Sequence, residues 1–260
     1  IAESTVIPAQ MDPGSFLLSR AGENTWQLDN QLSLQAYNTA SGVTDLHFQA
    51  VVRPASNPLR YLRAYPELSE GVLYAGYEQV STLSQEKADP IMSCSWNVIQ
   101  LKPPGQIIIP ISPIFEVSDY ETQLVDDTYQ IVHDNYLSLR ITGERTYKTG
   151  YKAAHLTGRF GYYQESGTDQ AVLLVRNYYN NPSSDYFEEA YNRPGEWGSS
   201  LFVYNDGGSY GGYGEIECFG QTIGGPDGRT TSVDPMQAWL FSGRTASIRK
   251  IALHLLSVRL

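Results

Sequence analysis

Apolar residues fall at every second position through most of this chain, which is the spacing of a strand that buries one face and wets the other. Thr25-Trp-Gln-Leu-Asp and Gln31-Leu-Ser-Leu-Gln-Ala-Tyr alternate on either side of Asn30, and Asp45-Leu-His-Phe-Gln-Ala-Val-Val-Arg carries the pattern to Pro54. The same reading gives strands at 71–80, 128–133, 136–142, 171–179 and 200–204. Residues 53–70 hold three prolines and three arginines and read as one long loop; Lys102-Pro-Pro-Gly105 reads as a turn and 180–185 as a loop. Prolines at 110 and 113 confine 107–115 to an edge or bulged strand. Only the last stretch changes period. Ile248, Ile251, Ala252 and Leu255 form one helical face, expected to cap a sheet edge or an open end of the core.

Many short strands, turn signals and one terminal helix predict an all-β chain, a single antiparallel β-sandwich domain over 1–260 with a C-terminal helix. The 19 tyrosines and 23 glycines, against three methionines, agree with strands and turns. With 18 Lys and Arg against 28 Asp and Glu, the net charge of −10 argues against nucleic acid as a partner. No apolar run nears the roughly 18 residues of a membrane span. Ile1 is not an initiator residue, so the chain reads as a processed or trimmed form, and a removed export signal would make it secreted or periplasmic. Cys94 and Cys218 permit one disulfide, which export would favour, or two buried thiols. No CxxC or HExxH spacing occurs, and no metal or cofactor is expected. An all-β fold does not suit Ser-His-Asp hydrolase chemistry of the α/β type, and Gly207-Gly-Ser-Tyr-Gly-Gly lacks the Lys-Ser/Thr of a phosphate loop.

The functional signal concentrates in Tyr204-Asn-Asp-Gly-Gly-Ser-Tyr-Gly-Gly-Tyr-Gly-Glu-Ile-Glu-Cys-Phe-Gly-Gln. Glu215 and Glu217 are two apart, so in a strand they share a face about 7 Å apart, with Ile216 and Cys218 on the other. Carboxylates beside tyrosines such as Tyr213 and an amide, Gln221, suit a sugar: acceptors for hydroxyls, rings to stack on, and a base if burial or the second carboxylate raises its pKa. A solvated polar strand face is the plain alternative. Asp206 and Asp227 flank the strand with hard oxygen donors, but their spacing matches no EF-hand loop.

Gly150-Tyr-Lys-Ala-Ala-His-Leu-Thr-Gly-Arg-Phe-Gly-Tyr-Tyr, Ala171-Val-Leu-Leu-Val-Arg-Asn-Tyr-Tyr, Phe202-Val-Tyr-Asn-Asp-Gly, Gly212-Tyr-Gly-Glu-Ile-Glu and Met236-Gln-Ala-Trp-Leu-Phe follow one another in an order that resembles the galactose-mutarotase-like β-sandwich superfamily, and within it sugar-related bacterial members. The likeness covers under half of the chain. It implies a sugar-sized groove on the concave face of one sheet, with Glu215 or Glu217 as base and His155 as acid in opening and closing a hexose ring. The pair of spaced histidines that mutarotases carry is not found at the corresponding places.

A second constellation is basic. Arg140, Arg145, Lys148, Lys152, His155 and Arg159 fall within 20 residues, interleaved with Tyr147, Tyr151, Tyr162 and Tyr163. On one face, such a set could neutralise a uronate while Tyr or His moves a proton, as β-elimination requires. Trp197 lies in a glycine- and proline-bounded loop, where an indole stacks on a sugar or tucks under the loop. His47, His133 and His254 read as structural, and Trp239 as core.

The expectation is a carbohydrate-recognising sandwich with mutarotase- or epimerase-type acid–base chemistry. Glu217, Glu215 and His155 would be the catalytic groups; Arg159, Lys152, Tyr213, Trp197, Asp206 and Gln221 would bind the mono- or polysaccharide. A polysaccharide lyase acting on uronates is one alternative. A non-enzymatic surface-assembly protein, self-associating through tyrosine-rich faces, is another.

Overall fold

The computed structural model describes residues 7–36, 41–120, 126–188, 193–226 and 228–260. Among these residues, strands form two antiparallel sheets. The larger has ten, in the order β1 (Leu17–Gly22), β2 (Thr25–Gln35), β3 (Val43–Pro54), β4 (Leu73–Ser84), β15 (Thr231–Arg244), β12 (Gln170–Tyr178), β11 (Arg159–Ser166), β6 (Gly105–Pro110), β9 (Tyr136–Ile141) and β8 (Gln130–Val132). The smaller has five: β5 (Trp96–Leu101), β14 (Gly214–Phe219), β13 (Ser199–Asn205), β10 (Tyr147–Lys152) and β7 (Val117–Asp119).

Alternation along the strands sorts side chains into layers. Ile107, Ile109, Leu139, Phe160 and Tyr162 of the large sheet meet Tyr147, Tyr151, Leu201, Val203, Ile216 and Cys218 of the small one in the main core. On the other face of the large sheet, Ile108, Tyr163, Leu173, Val175, Trp239 and Phe241 point toward the C-terminal helix α2 (Thr245–Leu256). Ile248, Ile251, Ala252 and Leu255 of that helix are buried there; each Ile or Leu so covered contributes about 1.5–3 kcal/mol. The antiparallel sandwich with a terminal helix is therefore present. The helix, however, covers a sheet face, not an edge or an open end, because β11, β12 and β15 carry apolar residues on both faces.

Three further expectations are corrected. Asn30 does not divide two strands; it lies within β2, where its Nδ2 donates to the Gln10 carbonyl at 2.8 Å. Residues 53–70 are not one loop. A 3-10 turn (Pro58–Tyr61) and a short helix, α1 (Tyr65–Ser69), bring Leu59 and Leu68 against the α2 layer. The strand at 107–110 is interior, between β11 and β9, and Pro110 is tolerated because it is the last residue of β6.

A smaller cluster, Tyr120, Ala153, Tyr186, Phe202 and Phe219, covers part of the outer face of the five-stranded sheet. Tyr147, Tyr151, Tyr162, Tyr163 and Tyr178 are buried as well. Tyr61, Tyr179 and Tyr210, by contrast, are exposed. Cys218 points between the sheets and Cys94 packs against the outer cluster; both are thiols, and burial pushes that of Cys218 up to about 12. Among the described residues no helix is long and apolar enough to cross a membrane.

Candidate functional site

The outer face of the five-stranded sheet is where the two glutamates lie. Register sets out its side chains in rows across the strands. Gln100, Glu215, Tyr204 and Lys148 stand in one row; Val98, Glu217, Phe202 and Gly150 stand in the next. Gly150 is a glycine because a Cβ there would come within 2.8 Å of the Tyr120 ring and 2.9 Å of Phe202. Trp96, at the edge of the sheet, is 41% exposed and reaches back to this row. The alternation that put Glu215 and Glu217 on one face, opposite Ile216 and Cys218, is what the structure has.

The two carboxylates differ in environment. Glu217 is buried; its Oε2 accepts from the Lys148 ammonium at 3.0 Å and from the Trp96 indole N–H at 2.9 Å. Lys148 also lies over the Phe202 ring, 5.5 Å from its centre. A buried carboxylate whose Oε2 is held by a cation and an indole is an anchor. Glu215 is half-buried and accepts from the Gln100 amide at 3.2 Å. Burial pushes its pKa up, the Gln100 amide opposes this, and the Glu217 charge adds to the rise. Such a carboxyl combines access with basicity.

The rim is the β13–β14 hairpin loop. Asp206 is buried and its Oδ2 accepts the backbone N–H of Tyr210 at 3.0 Å and of Gly212 at 2.8 Å. Gly212 has φ of +67°, and its backbone packs against that of Gly143, an approach that leaves no room for a Cβ on Gly143. This organised loop presents Tyr213, whose ring lies 6.2 Å from that of Tyr204 at 58°. Residues 207–211 spell G-x-S-x-G, but they form a hairpin loop between antiparallel strands, without the helix that follows a nucleophile elbow.

The remaining expected residues divide. Lys152 is on β10 at the far end of the same face, bonded to the Trp197 carbonyl, and Trp197 is exposed in the adjoining loop. Gln221 follows β14 and ties two loops together, its Oε1 accepting from Asn181 at 2.8 Å and its backbone N–H donating to Asp234 at 2.8 Å. His155 ends a 3-10 turn beyond β10 and, among the described residues, hydrogen-bonds to neither glutamate; its carbonyl accepts from the Ser112 backbone N–H. Arg159 is the clear correction. Residue 160 faces the main core, so 159 faces away from it, under α2, where its guanidinium donates to Asn177 and to the Leu255 carbonyl, both at 3.0 Å, and stacks on Trp239. It closes the C-terminal end of a helix. The basic constellation is dispersed with it: Arg145 pairs with Asp126, Lys148 with Glu217, and Arg159 is on the other sheet. The uronate-neutralising set does not assemble. Asp227 lies outside the described residues, and among those described no cluster of acids, histidines and thiols could hold a metal ion.

Trp96, Gln100, Lys148 and Tyr204 complete the site, and the first two went unread. Trp96-Asn-Val-Ile-Gln carries the period-two signal, but only pairing of β5 with β14 sets it beside the glutamates.

No family model and no curated protein matches the chain. Among solved structures, a putative aldose 1-epimerase from Escherichia coli K12 is similar over 87% of this chain and 68% of its own, at 8% identity and a TM-score of 0.49.

Proposed function

We propose that the outer face of the five-stranded sheet recognises a carbohydrate, with Glu215 as its working carboxylate. The observation that carries this reading is the row Gln100, Glu215, Tyr204 and Lys148, open beside Tyr213 and Trp96 while Glu217 is locked beneath. An amide, a carboxylate and an ammonium offer donors and acceptors to a ring of hydroxyls, and the aromatic rings offer its apolar face a surface.

Recognition is favoured over ring-opening. Mutarotase-type chemistry needs an acid and a base on either side of the sugar ring. Glu215 suits the base better than Glu217 does, while His155 stands apart as the acid. Titration of the protein with methyl hexosides by calorimetry, beside a proton NMR time course on freshly dissolved hexoses, tests both parts. Saturable binding with anomers equilibrating at the blank rate is expected. No binding across the panel would refute recognition, and faster equilibration would restore the catalytic reading.

A further inference from the structure

The charge around the site is lopsided. Lys148 lies in the Glu215 row and acts on Glu215, but its ammonium ion-pairs with Glu217 of the next row at 3.0 Å, so with both carboxylates ionised the two rows together carry one net negative charge. Asp206 lies close enough to Glu215 to act on its ionisation, and Glu188 acts likewise on Tyr120 at the other end of the face. Lys152 sits among Glu196 and Glu116, with its ammonium turned to the Trp197 carbonyl; Arg193 offsets Glu196 at 3.6 Å. A second feature points to the sign of the ligand. Tyr204 and Tyr213, inclined at 58° with centres 6.2 Å apart, stand on the Glu215 side of the face, Tyr204 directly across from Glu215 in register. Ring faces attract cations at up to about 6 Å from their centres and repel anions.

Building on the carbohydrate reading, we infer that the site selects amino sugars, an ammonium on the sugar ring pairing with Glu215 beside the Tyr204 and Tyr213 rings, and discriminates against uronates. A 2-amino-2-deoxyhexose keeps hydroxyls for Gln100 and Lys148 to meet and adds a cation where the face carries a net negative charge. A uronate would set its carboxylate against Glu215, a like-charge approach that costs affinity.

The test is calorimetric titration at pH 6.5 with the methyl glycosides of glucosamine, glucose and glucuronic acid, and of their galacto counterparts. The amino sugars should bind about tenfold more tightly than the neutral ones, the scale of one charge-assisted hydrogen bond, and the uronates most weakly. Raising salt should shrink the amino-to-neutral ratio, because the pair is partly open to water. Glu215→Gln should bring that ratio to about one. Equal affinity for amino and neutral sugars, a salt-independent ratio, or a preference for uronates would overturn this inference and leave carbohydrate recognition standing. Binding of none of the six glycosides would overturn recognition itself, and the selectivity with it.

Discussion

Replacing Lys148 by methionine isolates the pair on which the site's geometry depends. Met keeps most of the apolar stem over Phe202 and removes the charge, leaving Glu217, its side chain only 2% exposed, with the Trp96 N–H but without its ion-pair partner. At the 3.0 Å separation, the gross attraction with an effective dielectric of 20 is about 5 kcal/mol, and desolvation of both groups offsets much of it. Breaking a buried pair from one side costs about 3–5 kcal/mol. Lys148 is itself 26% exposed, so water can partly replace it and the lower end applies, about 3 kcal/mol. In a chain of this length that lowers Tm by roughly 6–12 °C. The penalty comes from a charged carboxylate without its cation. Scanning calorimetry of parent and variant at pH 7 reads it. A loss under about 0.5 kcal/mol would refute the ion-paired anchor.

The other expectations concern single residues. Burial raises the pKa of Glu215 in the folded state above the ordinary 4.5, so its ionisation weakens folding as pH rises through that value; Glu215→Gln should stabilise the protein at pH 7 and do nothing at pH 3 in urea titrations. Gly150→Ala pushes a methyl against Tyr120 and Phe202 and should cost about 1–3 kcal/mol by overpacking, seen as a lower denaturation midpoint. Arg159→Leu should lower stability by about 1–2 kcal/mol through the lost bonds to Leu255 and Asn177, with sugar affinity unchanged; an affinity loss would return Arg159 to the site. Thiol titration should find two free cysteines in denaturant without reductant, and Cys218 unreactive in the folded protein.

The period-two pattern made the strand content and the pairing of Glu215 with Glu217 on one face legible, since a strand's alternation is local. What it left out is long-range. Which strand lies beside β14 depends on contacts more than a hundred residues apart, such as Trp96 with Glu217, and no local rule gives them. For the same reason the run from Arg140 to Arg159 looked like one basic surface. It crosses from the large sheet through the small one and back, so neighbours in sequence are separated by a core. Arg159 shows the consequence: its chemistry suited a sugar, while its parity assigned it to a helix end. The carboxylates could be paired from sequence, but their division into a locked anchor and an open group depends on Lys148 and Trp96 converging on Glu217 alone.

The Trp96 indole N–H is a reporter inside the site, and the buried Trp239 under α2 is its internal control. A titration of 15N-labelled protein with methyl glucosaminide and methyl glucoside, with the indole signals assigned through Trp96→Phe and Trp239→Phe, tests the central claim most directly. Recognition on this face predicts a saturable shift of the Trp96 signal and a still Trp239 signal. A silent Trp96 alongside binding detected elsewhere in the spectrum would contradict it.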